Sequence, residues 1–294
     1  MSHKPHRDTI VVEDARILEH QAFAGDQVIL RVHAPQIAAL AEAGQFAHIQ
    51  CDPALPMRRP LSIMRVSPHA GWVDFLFKVL GEGTHLLAKR KVDDVLSIMG
   101  PIGVPFKPEM RHRRPLLIGG GVGIPPMVFL AETLKAVAGA YEPLVIMGSE
   151  VPFPFDARPS NIMVPGMPNE VIAAMPILDE WGIASRLASL QGYAGCFEGY
   201  VTELARAWLD ALSDAQRAEV AVFACGPHPM LEAVAKLARE YHLPCQVSLE
   251  EFMACAVGGC AGCTVAVQTE TGAAMKRVCV DGPVFDAQAV FPAA

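Results

Sequence analysis

The chain has 294 residues, 52% of them apolar, and sets 24 Lys and Arg against 31 Asp and Glu for a net charge of −7. That size and apolar content suit about two domains with real cores, and an acidic balance without a basic block argues against nucleic acid as a partner. No apolar run reaches the ~18–20 residues that cross a bilayer; the opening Met-Ser-His-Lys-Pro-His-Arg has no signal-peptide core; and eight cysteines without an export signal read as thiols or cluster ligands in a reducing, cytoplasmic setting.

From Thr9 to Pro108 the sequence reads as short strands parted by Pro- and Gly-rich turns, the pattern of a small antiparallel barrel. Gln27–Val32 alternates, with Val28, Leu30 and Val32 on one face. Val73, Phe75, Phe77 and Val79 repeat the pattern, and Val95–Met99 gives a third strand. Three stretches here could carry chemistry. Arg59-Pro60-Leu61-Ser62 sets a guanidinium and a hydroxyl on an extended segment, a pair able to grip a pyrophosphate. Gly81-Glu-Gly83-Thr84 follows a strand and opens a helix, offering backbone N–H groups and a hydroxyl to an anion. Gly100-Pro-Ile-Gly103 closes the unit. Each one alone is equally an ordinary strand or turn.

In the middle of the chain, Pro115–Ile118 is a short apolar strand feeding Gly119-Gly120-Gly121-Val-Gly123-Ile-Pro-Pro126. A helix follows, with Met127, Leu130, Leu134 and Val137 at helical spacing and proline at its first positions. Glycines there let the backbone approach a dinucleotide whose charge the helix N-terminus favours, although the spacing is not the Gly-x-Gly-x-x-Gly fingerprint. A second strand, Leu144–Met147, ends in Gly148-Ser149-Glu150. Residues 151–176 hold six prolines and read as an extended loop. A further strand, Val220–Ala224, runs into Cys225-Gly226-Pro227-His228, and Met230, Leu231, Val234, Leu237 and Tyr241 mark an amphipathic helix. His228 reads as a surface residue at the helix start, and Cys225 either as a small buried hydrophobe or as part of a site. Gln246–Leu249 is the expected last strand of this unit.

The chain then turns to cysteine. Cys255 and Cys260 are parted by four residues, Cys260 and Cys263 by two, and Cys279 follows after fifteen more. This is the plant-type spacing for a 2Fe–2S cluster, in which three thiolates come from one wound loop and the fourth from elsewhere. Structural zinc, a disulfide or buried thiols are the plainer readings; zinc sites show paired two-residue spacings, and this loop has one such pair. Met275–Val280 is expected to present Cys279 on a strand.

Taken in order, Arg-Pro-x-Ser, Gly-x-Gly-Thr, Gly-Pro-x-Gly and a glycine-rich strand–helix turn resemble the ferredoxin–NADP reductase superfamily. The resemblance implies an all-β barrel joined to an α/β domain with a parallel sheet. It makes Arg59, Pro60, Leu61, Ser62, Gly83 and Thr84 contacts of FAD, with Gly44-Gln45-Phe46 shaping the barrel rather than binding. It places Gly119, Gly120, Gly121 and Gly123 with Gly226 and Pro227 at a bound nicotinamide dinucleotide, and Cys225 in the pocket where hydride passes to the flavin. Glu150 would read the ribose hydroxyls, favouring NAD over NADP.

Ser248-Leu-Glu-Glu-Phe-Met-Ala-Cys255, then Cys260-Ala-Gly-Cys263-Thr-Val and Val278-Cys-Val-Asp-Gly-Pro-Val-Phe285, resemble one branch: the electron-transfer subunit of NAD-dependent dihydroorotate dehydrogenase. The implied organisation is an FAD barrel over 1–108, an NAD(P) domain over 109–250 and a 2Fe–2S segment over 251–294. The implied partner is an FMN-containing catalytic subunit in a hetero-oligomer that makes orotate for pyrimidine synthesis. The same modules serve sulfide dehydrogenase, hydrogenase and bifurcating ferredoxin reductase complexes, or a redox sensor without turnover. The superfamily's Thr-Asp-Asp-Gly-Ser-like turn is replaced here by Ser189-Leu-Gln-Gly, ahead of a retained Gly199-Tyr-Val-Thr202.

Overall fold

In the computed structural model, which describes residues 5–137 and 139–293, the first hundred residues curl into six antiparallel strands. These are β1 (Val11–Phe23), β2 (Gln27–His33), β3 (Phe46–Ile49), β4 (Arg59–Ser67), β5 (Trp72–Lys78) and β6 (Val95–Ile102), closed in the order β1-β2-β5-β4-β3-β6. Closure pairs every strand on both sides and leaves no free edge. The alternation read from the sequence sets the faces: Val28, Leu30, Val32, Val73, Phe75 and Phe77 are all buried, while Val79 falls just past the end of β5. Two short helices, α1 (Pro35–Leu40) and α2 (Glu82–Ala88), bridge strands of the barrel.

The second unit alternates strand and helix. It runs β7 (Arg114–Gly120), α3 (Ile124–Ala136), β8 (Leu144–Gly148), β9 (Arg158–Pro159), β10 (Ala173–Ala174), α4 (Pro176–Glu180), β11 (Ala184–Ala188), α5 (Val201–Ala211), α6 (Asp214–Arg217), β12 (Val220–Cys225), α7 (His228–Glu240) and β13 (Cys245–Ser248). The proline-rich stretch is thus an extended excursion pinned by the two-residue ladder β9–β10. Val137 and Tyr241, which continue the apolar periodicity of α3 and α7, lie one residue beyond their helices. The last segment forms the hairpin β14 (Thr264–Thr269) and β15 (Gly272–Arg277), then α8 (Val278–Asp281), β16 (Val284–Asp286) and α9 (Ala287–Val290).

Two expectations change. Cys279 stands on the helical turn α8 and not on a strand, because the Arg277 N–H donates to the Asp281 carboxylate at 2.9 Å and folds the chain over directly after β15. Nor is β13 the last strand of the sheet. The order is β11-β8-β7-β12-β13-β16, parallel throughout except for β16, which returns antiparallel along β13. The chain beyond the cysteine loop therefore crosses residue 250 back into the nucleotide sheet. The strand order reverses direction between β7 and β12, and ligands of open α/β sheets sit at the carboxyl ends beside such a switch point.

The barrel and the sheet unit are locked along α3. Arg65 of β4 pairs with Glu132 of α3 at 2.9 Å, and its guanidinium lies 5.0 Å from the ring of Trp181. A tighter seam runs at the barrel exit. The Val104 N–H donates to the Gly282 carbonyl at 2.6 Å, the Leu249 N–H to the Pro283 carbonyl at 3.0 Å, and the buried Gln45 amide to the Gly103 carbonyl at 2.8 Å. Gly103 holds φ +99°, and a Cβ there would overlap the Pro283 ring. Gly103→Ala combines left-handed strain with overpacking and should destabilise the protein by about 2 kcal/mol or more. Chemical denaturation would read this as a lower midpoint; an unchanged midpoint would show that the seam yields without cost.

Candidate functional site

A cavity of about 970 Å³ opens where the barrel, the carboxyl edge of the sheet and the cysteine segment meet. The barrel supplies Phe46, Arg58, Arg59, Pro60, Leu61, Ser62 and Thr84; the sheet supplies Val122, Ser248 and Glu250; the C-terminal segment supplies Met253, Ala254 and Gly262. Its size is at the upper end for small-molecule sites, and its character is an apolar wall with few polar groups. β3 and β4 build that wall: cross-strand pairing sets Phe46 opposite Ser62, and alternation turns both the same way. Phe46 therefore lines the cavity besides shaping the barrel, while Gly44 and Gln45 serve shape alone.

The polar groups are placed unequally. Arg59 Nη1 donates to the Met57 and Arg58 carbonyls at 2.9 and 3.2 Å, and among the described residues no carboxylate pairs with it. A cation held by carbonyls at a cavity wall suits an anionic ligand. Gly83 lets α2 start directly beneath this guanidinium, since a Cβ would come 2.8 Å from Arg59 Nε. Thr84 is more constrained than its motif suggests. Its hydroxyl accepts from the Leu80 and Gly81 N–H groups at 3.0 and 3.1 Å and donates to the Gly81 carbonyl, so it is largely spent on capping its own helix.

On the sheet side, the parallel register sets Gly119 beside Cys225. The turn Gly121–Gly123 then lies against Cys225-Gly226, so closely that a Cβ on Gly123 would collide with the Cys225 carbonyl. Gly119, Gly120, Gly121, Gly123, Gly226 and Pro227 are thus gathered at one crevice. The Cys225 side chain is not in it. It is 0% exposed; burial first, then the nearby charge of Glu250, push its thiol well up, against an opposing hydrogen bond with Ser248. A sealed, protonated thiol supports the crevice from behind and does not react in it. Glu250 itself opens onto the cavity yet is closely walled, and burial raises its carboxyl above the ordinary range. Glu150 is exposed at the end of β8, outside the cavity, and His228 is exposed at the first position of α7. Arg58 and Leu80 line the cavity without having been read as site residues, and Glu250 and Met253, part of the motif before Cys255, line it too, a role their motif did not assign. Arg58 and Leu80 abut recognised motifs, which was the available signal.

The cysteine loop borders the cavity through Gly262. The hairpin register Thr264↔Arg277 brings Cys263 and Cys279 together, their sulfurs 3.3 Å apart, which explains the long interval between them. Cys255 accepts from the Gly259 and Cys260 N–H groups at 3.2 and 3.4 Å, and Cys260 from the Gly262 N–H at 3.4 Å. Burial works against ionisation of Cys255, but the N–H groups of Cys260, Val257 and Gly259 with the Cys260 thiol outweigh it and bring the pKa down to about 7. Burial and the Cys263 thiol push Cys279 up to about 12, so a metal held there would have to displace that proton. Among the described residues no three His, Cys, Asp or Glu side chains converge as one ion requires. The sulfurs stand as two pairs, 255 with 260 and 263 with 279. Two thiolates per iron is what a two-iron rhomb asks for, and the donor set fits it. Cys51, Cys225 and Cys245 are buried, and Cys196 is half-buried.

Comparison with known proteins decides the family. Residues 250–291 match the model of the iron–sulfur cluster binding domain of dihydroorotate dehydrogenase B. The dihydroorotate dehydrogenase B (NAD+) electron transfer subunit of Desulforamulus reducens is 33% identical over 93% of this chain and 96% of its own length. The chain belongs to this family. The corresponding subunit of Caldanaerobacter subterraneus subsp. tengcongensis is 32% identical over 84% of this chain and 86% of its own. Among solved structures, an NADH-dependent reduced ferredoxin–NADP oxidoreductase described in terms of flavin-based electron bifurcation superposes with a TM-score of 0.75 and 27% identity, covering 95% of this chain and 90% of the other. The barrel-plus-sheet architecture of the family is therefore the ferredoxin reductase fold.

The thiol environments predict an order of alkylation in cluster-free protein. Cys255 and the exposed Cys260 should react first, with the Cys255 rate rising as pH passes about 7, two units below an ordinary thiol at 9.0. Cys51, whose pKa burial pushes up to about 11, and Cys225 should stay unlabelled until the protein unfolds. Peptide mass mapping against pH reads this directly; early labelling of Cys225 would contradict the packing described for it.

Proposed function

We propose that this chain carries electrons between a dihydroorotate-oxidising catalytic subunit and NAD+, through a 2Fe–2S cluster and FAD. One observation carries the reading: a single cavity is walled on one side by the Arg59–Ser62 motif and on another by Met253, Ala254 and Gly262 of the cluster loop. Arg59 would hold the FAD pyrophosphate, with Pro60, Leu61 and Ser62 against the flavin and Gly83 and Thr84 at its phosphate end. Gly119, Gly120, Gly121, Gly123, Gly226 and Pro227 leave backbone room for the nicotinamide dinucleotide, and Glu150 would read its ribose, favouring NAD. Cys255, Cys260, Cys263 and Cys279 would hold the cluster. FAD, when bound, exchanges one hydride with nicotinamide on one side for two single electrons on the other.

The loop is suited to face a partner. Cys260, Ala261 and Gly262 are exposed, and Phe252 beside them is 94% exposed. We place the docking of an FMN-containing catalytic subunit on this face, in a cytoplasmic hetero-oligomer; among the described residues no helix is long and apolar enough to cross a membrane. Barrel over 1–108, sheet over 109–250 and cluster segment over 251–294 are the functional units, the last returning one strand to the sheet. A second reading, a bifurcating ferredoxin reductase subunit, is favoured by the resemblance to the oxidoreductase structure alone.

The decisive assay is NADH formation from dihydroorotate by the complex purified with its native partner. Orotate and NADH in equal amounts support the reading; a complex inert to dihydroorotate that exchanges electrons with ferredoxin supports the second. Within the chain, Arg59→Ala should weaken FAD by roughly 10- to 150-fold, the loss of a charged hydrogen bond worth about 1.5–3 kcal/mol, with iron content unchanged. Undiminished FAD affinity would move the flavin to another motif.

A further inference from the structure

His48 stands on the outward face of β3. Ala47 and Ile49 point into the barrel and are fully buried there, whereas Phe46 packs with the C-terminal segment and lines the flavin cavity. The two-residue period of a strand puts His48 on the same side as Phe46. Pairing with β4 sets Pro60 opposite His48 and Ser62 opposite Phe46, so the imidazole stands behind the wall built by the flavin motif and outside the cavity lining. Its backbone is fixed: Arg58 Nη1 donates to the His48 carbonyl at 3.2 Å and to the Ser97 carbonyl at 2.6 Å, tying β3 to β6.

The ring itself makes no hydrogen bond of full geometry. It is 1% exposed, and neither Nδ1 nor Nε2 has a hydrogen-bond partner. The backbone of Met253 and Arg58 lies close by, within reach of a weak, imperfectly aligned hydrogen bond that opposes the lowering of its pKa. Burial, then the charge of Arg58, push its pKa down to about 4. It is therefore neutral at pH 7, with one N–H to give and one lone pair to receive. Buried polar side chains are almost always paired, and an apolar side chain of like size would fill this wall without that penalty. The surroundings indicate what the ring serves. Met253 and Ala254 line the flavin cavity and run straight into Cys255, so they are the short lead-in joining the two redox sites.

We propose that His48 is a positioning residue that fixes the Met253–Ala254 lead-in against the flavin wall in the loaded protein, its ring N–H donating to a backbone carbonyl of that lead-in. It thereby sets the separation across which electrons pass between flavin and cluster. Each such passage moves one electron from the reduced flavin to the oxidised cluster, or the reverse; the imidazole forms and breaks no covalent bond and keeps its proton. This inference rests on the placement of FAD and cluster given under the proposed function.

The test compares wild type, His48→Leu and His48→Gln as FAD- and iron-loaded proteins. Leucine fills the space without hydrogen bonding, and the glutamine amide restores a donor. In His48→Leu we expect full FAD and iron content and an unchanged rate of flavin reduction by NADH. Flavin-to-cluster transfer, followed by stopped-flow absorbance and freeze-quench spin resonance, should slow at least fivefold. Amide hydrogen exchange over residues 252–256 should quicken at least fivefold, and His48→Gln should bring both back to within about twofold of wild type. Wild-type values for both in His48→Leu would overturn the proposal. So would a glutamine variant as impaired as the leucine one, or loss of FAD or iron in both, since packing alone would then explain the residue. A wild-type protein whose cluster NADH never reduces would overturn both this inference and the functional reading, and is told apart by failing before any substitution is made.

Discussion

The structure depends on one crowded seam, where Gly103 at the barrel exit meets Gly282 and Pro283 beyond the cysteine loop. The Val104 N–H closes on the Gly282 carbonyl and the Leu249 N–H on the Pro283 carbonyl, so barrel, sheet and C-terminal segment share one set of backbone hydrogen bonds. Those bonds place the two ends of the cysteine segment. Its start leaves β13 along the cavity through Glu250 and Met253; its end passes from Cys279 to Pro283 and returns as β16 on the same sheet. A loop held at both ends by a rigid sheet can present thiols to a cluster while keeping one flank open to a partner. A free tail could not hold them in register.

The cysteines divide by environment rather than by number. In the loop, backbone N–H groups aim at Cys255 and Cys260, and at Cys255 they favour the thiolate, as a cluster of net negative charge requires. In the sheet and barrel, Cys225, Cys245 and Cys51 are buried, and desolvation is the largest influence on each and raises all three. Desolvation and hydrogen bonding thus pull chemically identical side chains in opposite directions. Reactive and inert thiols stand in one short chain without interfering.

Much of this was legible in the sequence, for definite reasons. Period-two alternation in Val28–Val32 and Val73–Phe77 specifies strands because one face of each must be buried, and the cysteine spacing specifies a loop because three ligands must come from one winding. What escaped were features of tertiary origin. Cys279 follows a strand-like run, but a hydrogen bond from Arg277 to Asp281 turns it onto a helix. No local signal announces that residues 284–286 will pair with a strand forty residues earlier. Cys225 carries the right motif, yet its side chain turns into the core, and it is the backbone carbonyl that packs against Gly123 at the crevice. Likewise the cavity role of Glu250 and Met253 arises from the fold of the C-terminal segment across the barrel, which no run of neighbouring residues encodes.

The central claim is that the cysteine segment is the single-electron doorway of the chain and the flavin its link to nicotinamide. Cys260 is the exposed one of the four cysteines proposed to hold the cluster, so replacing it should remove the cluster with the least disturbance of packing. The most direct measurement is the NADH activity of FAD-loaded Cys260→Ser protein with two acceptors: a hydride-accepting dye and the catalytic partner subunit. The account predicts dye reduction near the wild-type rate and no transfer to the partner. Transfer to the partner at the wild-type rate without a cluster would contradict it.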